Sequence, residues 1–198
     1  AVEFEVCDSG GRCTTSTSTV TVRSADPDPD PDPDPDPDAD PDPDPVPFIV
    51  PLVPARLLET RSGPGDATVD GRFAGGGAMV RGDVIELDVT GRGGVPASGV
   101  SAVVLNFTAA VPAGLGFLTV FPCGERPLAS SLNFGDHTTP NEVIAKVSAE
   151  GTVCIYSFGP THVVADVVGY VPDGSSYEAL VPARLLETRS GPGDATVD

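Results

Sequence analysis

Apolar and polar residues alternate with a period of two in a series of short stretches, and this alternation predicts strands. In residues 84–90, Ile85, Leu87 and Val89 share one face and Glu86 and Asp88 the other, as in a half-exposed strand. Residues 100–109 are apolar on both faces, with Val103, Leu105 and Phe107 opposite Ala102 and Val104, as a central strand between two layers requires. Further strands are predicted at 116–121, 128–134, 142–148, 152–158 and 162–171, divided by the turn sequences GDH, AEG and FGP. No stretch carries a convincing 3.6-residue apolar period. Short strands joined by Gly- and Pro-rich connections predict an all-β domain, an antiparallel β-sandwich, with a closed β-barrel or a trefoil as the alternative.

The pattern changes twice before this domain begins. Residues 1–24 predict a separate N-terminal β-hairpin: VEFEV alternates, DSGG turns the chain, and TTSTSTVTV is rich in β-branched residues suited to a half-exposed sheet. This piece resembles the C-terminal end of bacterial immunoglobulin-like or cadherin-like surface repeats. Residues 25–47 are a linker that from Asp26 to Pro47 is an almost pure Asp-Pro alternation, broken by Ala39. Proline fixes φ and biases its predecessor away from the helical region, so both residues of each dipeptide favour polyproline II. Twenty-two such residues make a spacer of roughly 70 Å. Carboxylates are hard oxygen ligands, so calcium is the one cofactor to weigh here. The tract lacks the Gly and Glu of a calcium loop, and a Pro-locked chain cannot wrap an ion, so diffuse counterion attraction is the expectation.

The sequence LVPARLLETRSGPGDATVD occurs twice without a substitution, at 52–70 and at 180–198, an offset of 128 residues. A fixed offset of this kind marks a tandem array. Residues 48–179 are then one complete repeat and 180–198 the start of the next, and the chain is expected to be a window on a longer protein. Residues 180–198 are expected to be poorly ordered or to pack opportunistically, because one segment cannot bury its apolar face alone.

Composition narrows the functional classes. The net charge is −18, but ten of the 29 acidic residues lie in the Asp-Pro tract, and outside it 19 acids face 11 bases. A negative surface argues against nucleic acid and against anionic lipid. No apolar run reaches the length of a membrane-spanning helix, so no direct membrane insertion is expected.

Four cysteines form two local pairs without metal-knuckle spacing. Cys7 and Cys13 flank DSGGR and can face each other across the hairpin, while a Cys123–Cys154 bridge would tie two strands of the main domain. Closing those loops would contribute about 2 and about 3 to 4 kcal/mol respectively. Disulfides imply an oxidising, extracellular or cell-surface location.

The chemistry-bearing residues give little ground for an enzyme. There is no HExxH, GxSxG or Walker sequence. His137 sits in GDHTTP and His162 at a strand start, both among polar neighbours, which fits surface or hydrogen-bonded histidines. The glycines of FAGGGAM precede no helix and read as a flexible loop rather than a phosphate cradle. Asn106, Asn133 and Asn141 lie near strands and turns, where amides bond local backbone; Asn106 also begins an N-x-T sequence. Asp166 lies in HVVADVVGY on the face of Val164 and Val168, so its carboxylate needs a partner. Arg56 and Arg61 are the candidates, and an ion pair from Asp166 to either would join the first and last segments of the domain.

The phrases VPARLLETR, GVPASGVSAVVLNFTAAVPAGLGFLTVFPCGERPLASSLNF and TPNEVIAKVSAEGTVCIYSFGPTHVVADVVGYV together resemble a repeat domain of large secreted and cell-surface proteins of high-GC, actinobacterial-type bacteria. The resemblance covers nearly all of 52–173. It implies a surface-exposed accessory module and carries over no catalytic activity. The expected function is a structural or adhesive module whose partners are a cell-surface protein or polysaccharide and the neighbouring repeats. The alternative is a carbohydrate-binding module that targets an attached hydrolase to a polysaccharide. Sugar sites use exposed aromatic platforms, and a chain with no Trp and three Tyr (Tyr156, Tyr170 and Tyr177) favours the first reading.

Overall fold

β-Branched runs become strands in both parts of the chain. The structure, a computed structural model, describes residues 2–7, 13–18 and 46–189. The chain divides into two compact units, 1–43 and 44–198. In the first, β1 (Val2–Cys7) and β2 (Cys13–Ser18) pair antiparallel with Cys7 opposite Cys13. Cys13 is disulfide-bonded. The Asp-Pro tract up to residue 45, its extended form and the calcium alternative attached to it lie outside the described residues, as does the second copy beyond residue 189.

The second unit is an all-β sandwich of two four-stranded antiparallel sheets, not a closed barrel. Its strands are β3 (Val50–Glu59), β4 (Val84–Asp88), β5 (Val100–Ala110), β6 (Gly116–Pro122), β7 (Leu132–Phe134), β8 (Thr139–Lys146), β9 (Thr152–Ser157) and β10 (His162–Pro172). One sheet has the order β3-β10-β5-β8 and the other β4-β9-β6-β7.

Three elements depart from the sequence pattern, among them β8, which runs from Thr139 to Lys146 where 142–148 was expected. β3 carries Pro51 and Pro54 and shows no alternation, so its strand character was not legible; as an edge strand it tolerates prolines that a central strand could not. The strand expected from 128 starts only at Leu132. Residues before it fold over β6 instead, where the Thr119 hydroxyl donates to the Ala129 carbonyl at 2.6 Å and the Ser131 hydroxyl accepts from the Val120 amide at 2.9 Å.

Inward residues of both sheets build one core. Val103, Leu105 and Phe107 of β5 meet Leu87, Leu118, Val120, Val153 and Ile155 of the other sheet, all fully buried. β10 contributes Val163, Ala165 and Val167 to that core, and a register shift between Val167 and Gly169 then reverses the alternation. Past the shift Tyr170 packs on the main core while Val171 turns to the outer face. There it joins Ala102 and Ala179 in a second cluster, covered by Tyr177, whose ring meets Phe48 edge-to-face at 5.1 Å. The chain after β10 thus folds back across the sheet that β10 has just left.

The connection between β4 and β5 passes close to the core. At Gly93, φ is 57° and an added Cβ would lie 2.8 Å from Val167 Cγ1 and 3.0 Å from Ala55 Cβ. Both backbone strain and overlap oppose any side chain there. Across the outer face of the second sheet, the disulfide between Cys123 and Cys154 fastens the end of β6 to β9.

Two outcomes are expected from these constraints. Reducing the Cys123–Cys154 bond, or replacing both cysteines by serine, lowers unfolding free energy by about 3 to 4 kcal/mol, measured by urea denaturation. Gly93→Ala lowers it by about 2 kcal/mol or more, whereas a variant as stable as the parent would show that the loop accommodates the methyl group.

Candidate functional site

The sequence Arg-Leu-Leu-Glu-Thr at the end of β3 places four consecutive side chains, Leu57 to Thr60, in the interior. Strict alternation would expose every second one. A register shift between Ala165 and Asp166 leaves Leu57 as the extra residue on β3, which allows Leu57 and Leu58 both to be buried.

The same geometry takes the Glu59 carboxylate fully out of water. A buried charge must be compensated by partners. Glu59 Oε1 accepts from the Arg61 backbone amide at 3.0 Å and from Arg61 Nε at 2.8 Å; Oε2 accepts from Arg61 Nη2 at 2.7 Å and Arg56 Nη1 at 2.9 Å. Arg56 reaches onward across the strand pair, where Nε donates to Asp166 Oδ1 at 2.8 Å and Nη2 to Oδ2 at 3.4 Å. Arg61 also lies 3.4 Å from Asp66. The result is a charged string, Asp166–Arg56–Glu59–Arg61–Asp66, that ties β3 to β10. Of the two candidate partners, Arg56 holds Asp166, and Arg61 turns to Glu59 and Asp66. Hydrogen bonding to Arg61, opposed by burial, holds Glu59 below the ordinary carboxylate range, and hydrogen bonding to Asp166 raises Arg56.

A second buried charge was missed in the sequence. Arg92, 4% exposed, donates to both oxygens of Asp70 at 2.7 and 2.8 Å and to the carbonyls of Asp88 at 2.7 Å and Leu57 at 3.0 Å. It also lies over the Phe73 ring at 5.0 Å. One guanidinium thereby joins β3, the end of β4 and the turn at Asp70. Arg92 holds Asp70 far below the ordinary carboxylate range. The available signal was an arginine set among glycines in TGRGGVP.

The remaining sequence candidates separate. His137 is exposed with Asp136 at 3.0 Å, and His162 Nδ1 lies 3.1 Å from the Thr60 hydroxyl. Asn106 and Asn133 are exposed, and Asn141 donates to the Ser131 carbonyl at 2.7 Å. The glycine-rich run is fastened to β3: Gly75 and Gly77 amides donate to the Glu59 and Thr60 carbonyls at 2.8 and 2.9 Å. Among the described residues no cluster of three or more His, Cys, Asp or Glu is placed to hold a metal ion, and no helix is long and apolar enough to cross a membrane.

The outer face of the second sheet carries a further feature. Phe117 stacks on Phe158 with centroids 4.7 Å apart and lies 6.1 Å from Tyr156. Arg81 sits over Phe158 at 3.7 Å and Arg126 over Tyr156 at 4.3 Å. The three rings and Arg126 line an open groove of 570 Å³, rimmed by Asn133. Counting Trp and Tyr overlooks the two phenylalanines that build this platform. Arg184 and Arg189, from the second copy of the repeated sequence, lie along the same groove.

In that second copy Arg184 Nη1 and Arg189 Nη2 approach Glu187 Oε2 at 2.8 and 2.6 Å. The Arg189 hydrogen bond holds Glu187 down to about 2. Compared with known protein families, curated proteins and solved structures, the chain matches none.

The charged string makes ordered predictions. Glu59→Gln removes the buried charge that both arginines share and sets an amide nitrogen against their donors, and it lowers unfolding free energy by about 3 kcal/mol. Asp166→Ala, which breaks a partly exposed pair, lowers it by about 1 kcal/mol; equal effects would refute the ranking, and an unchanged melting temperature for Asp166→Ala would refute the tie to β10. Because the folded-state pKa values of Glu59 and Asp70 are depressed, their contribution is present above about pH 4 and is lost as pH falls through their folded values. The melting temperature should therefore fall on acidification below about pH 4, and less steeply in Glu59→Gln with Asp70→Asn.

Proposed function

We propose that this chain is a non-catalytic structural or adhesive module of an extracellular, multi-repeat protein, in which β-domains are set apart by the acidic Asp-Pro spacer. The observation that carries this reading is where the charge goes. Glu59 and Arg92, the two buried charged residues among the described residues, are compensated by Arg56, Arg61 and Asp70 and close the edge of a sheet. Among the described residues, no buried side-chain nitrogen or oxygen lacks a hydrogen-bond partner. Such side chains serve cohesion of the domain. The disulfide at Cys123–Cys154 fits an oxidising, extracytoplasmic setting. The duplicated 19-residue sequence at an offset of 128 residues supports a tandem array, which gains reach and avidity by multiplicity.

A second reading has its own observation. The Phe117, Tyr156 and Phe158 platform, with Arg81 and Arg126 beside it, is the composition of a site that stacks a sugar ring and neutralises an acidic substituent. In that reading the chain is a carbohydrate-binding module for an acidic polysaccharide, delivering an attached hydrolase.

A glycan array probed with the chain as a monomer and as a bead-displayed multimer separates the two. The structural or adhesive reading predicts no saturable binding by the monomer, and bead adhesion to a cell surface that grows with valency and survives Tyr156→Ala with Phe158→Ala. Saturable monomer binding to one class of acidic glycan, lost in that double variant, would overturn it in favour of the carbohydrate-binding module.

A further inference from the structure

The edge of β10 is held by a sequence that the chain carries twice. Residues 52–70 and 180–198 are identical. The polar side chains by which the first copy grips the sandwich lie inside the duplicated stretch. Arg56 pairs with Asp166, the Thr60 hydroxyl accepts from the Val163 amide at 2.8 Å, and Asp70 pairs with Arg92. The anchoring leucines, Leu57 and Leu58, are inside it too. The second copy therefore holds an equivalent for each, from Arg184, Leu185 and Leu186 through Glu187 and Thr188 to Asp198.

The described part of the second copy is in no strand. Leu185 is 85% and Leu186 76% exposed, against 0% and 2% for their counterparts Leu57 and Leu58. Its ionic geometry is nevertheless that of the first copy. Arg184 and Arg189 stand 2.8 and 2.6 Å from Glu187, where Arg56 and Arg61 stand 2.9 and 2.7 Å from Glu59. The Arg189 amide meets Glu187 Oε1 at 3.0 Å, and the Arg61 amide meets Glu59 Oε1 at the same distance. The clamp is therefore made within R-L-L-E-T-R and does not require pairing to β10. What the second copy lacks is a place for two leucines.

Connectivity permits one. β10 and β3 are antiparallel, and Val50 is opposite Tyr170. The residue 128 positions beyond Val50 is Glu178, so residues 171–177 would close an ordinary antiparallel connection and bring the second copy along β10 in the register of the first.

We propose that the β10 edge is an acceptor site for this segment, and that the second copy, folding back from the same chain, is its alternative occupant. The sandwich then has two isomeric forms that differ in which copy supplies the edge strand. Contacts within the duplicated stretch are common to both, so the balance is set by the flanks. Residence of the first copy keeps Phe48 and Ile49 against Tyr177 and Ala179; the second must give up that cluster and closes a much shorter loop. The first copy is the resident, and the second takes over where the first is weakened or drawn out.

The test uses the full 198-residue chain. Leu57→Asp disables the first copy; Leu57→Asp with Leu185→Asp disables both; Leu185→Asp alone is the control. The expected result is a cooperative melt for Leu57→Asp, none for the double variant, and an unchanged melt for the control. If Leu57→Asp is as unfolded as the double variant, the proposal fails. Light scattering should find Leu57→Asp monomeric, and a dimer would overturn it in favour of exchange between chains. A second measurement does not depend on a damaged core. With Asp166→Cys and Arg184→Cys, mild oxidation should trap an intrachain 166–184 bond, found by peptide mapping, and its absence would overturn the proposal.

Discussion

A carboxylate fully removed from water governs the first sheet. Glu59 is anchored in the interior by its neighbours on the strand, since Leu57, Leu58 and Thr60 around it are buried as well. Ionised there, it needs donors on both oxygens, and the two arginines that supply them stand three residues before and two after it. Arg56 then has donors to spare for Asp166, which lies on β10 and is 110 residues away in sequence. A local requirement is converted in this way into a long-range tie. The edge strand is the element most easily lost from a sheet, and here the tie fixes it in register.

Arg92 solves the complementary problem. It enters the interior from a loop, and its donors are distributed over a carboxylate and the carbonyls of two other segments. The glycine after it allows the loop to press on Val167 and Leu57, so the guanidinium and the backbone arrive together. Glu59 fixes the edge strand to its neighbour in the sheet, and Arg92 fixes the same strand to the end of β4, a strand of the other sheet. Together they explain how an edge strand containing two prolines is retained.

Period-two alternation made β4, β5, β6, β9 and β10 legible to within a residue or two, because their inward faces are uniformly apolar. It failed at β3, where a register shift buries consecutive residues and prolines interrupt the pattern, and no local rule separates such a strand from a loop. The ion pair at Asp166 was legible because a lone carboxylate among valines demands a cation. Glu59 and Arg92 were not: Glu59 sits in a strand that shows no alternation, and Arg92 in a glycine-rich loop whose path into the interior no local pattern gives. The aromatic face was hidden for a different reason. Phe117 and Phe158 are apolar residues that a sequence pattern assigns to a core, and only the sheet's outer face shows that they stand apart from it.

The repeated sequence ties these observations to the organisation of the chain. The duplicated stretch carries the whole ionic clamp of β3 with it, and in Arg184, Glu187 and Arg189 the clamp is made by residues that belong to no strand. Forming the clamp ahead of the strand lowers the entropy lost on docking, because three long side chains are already placed. Docking then depends chiefly on burying two leucines, a non-directional term that any correctly spaced β10 edge can satisfy. Preference for one copy over the other at the β10 edge cannot come from the duplicated segment, since the copies are identical, and must come from the residues that flank it. Phe48 and Ile49, which precede the first copy, and Tyr177 and Ala179, which precede the second, form one cluster on the outer face of the sheet. That cluster is where the distinction between the two copies is drawn.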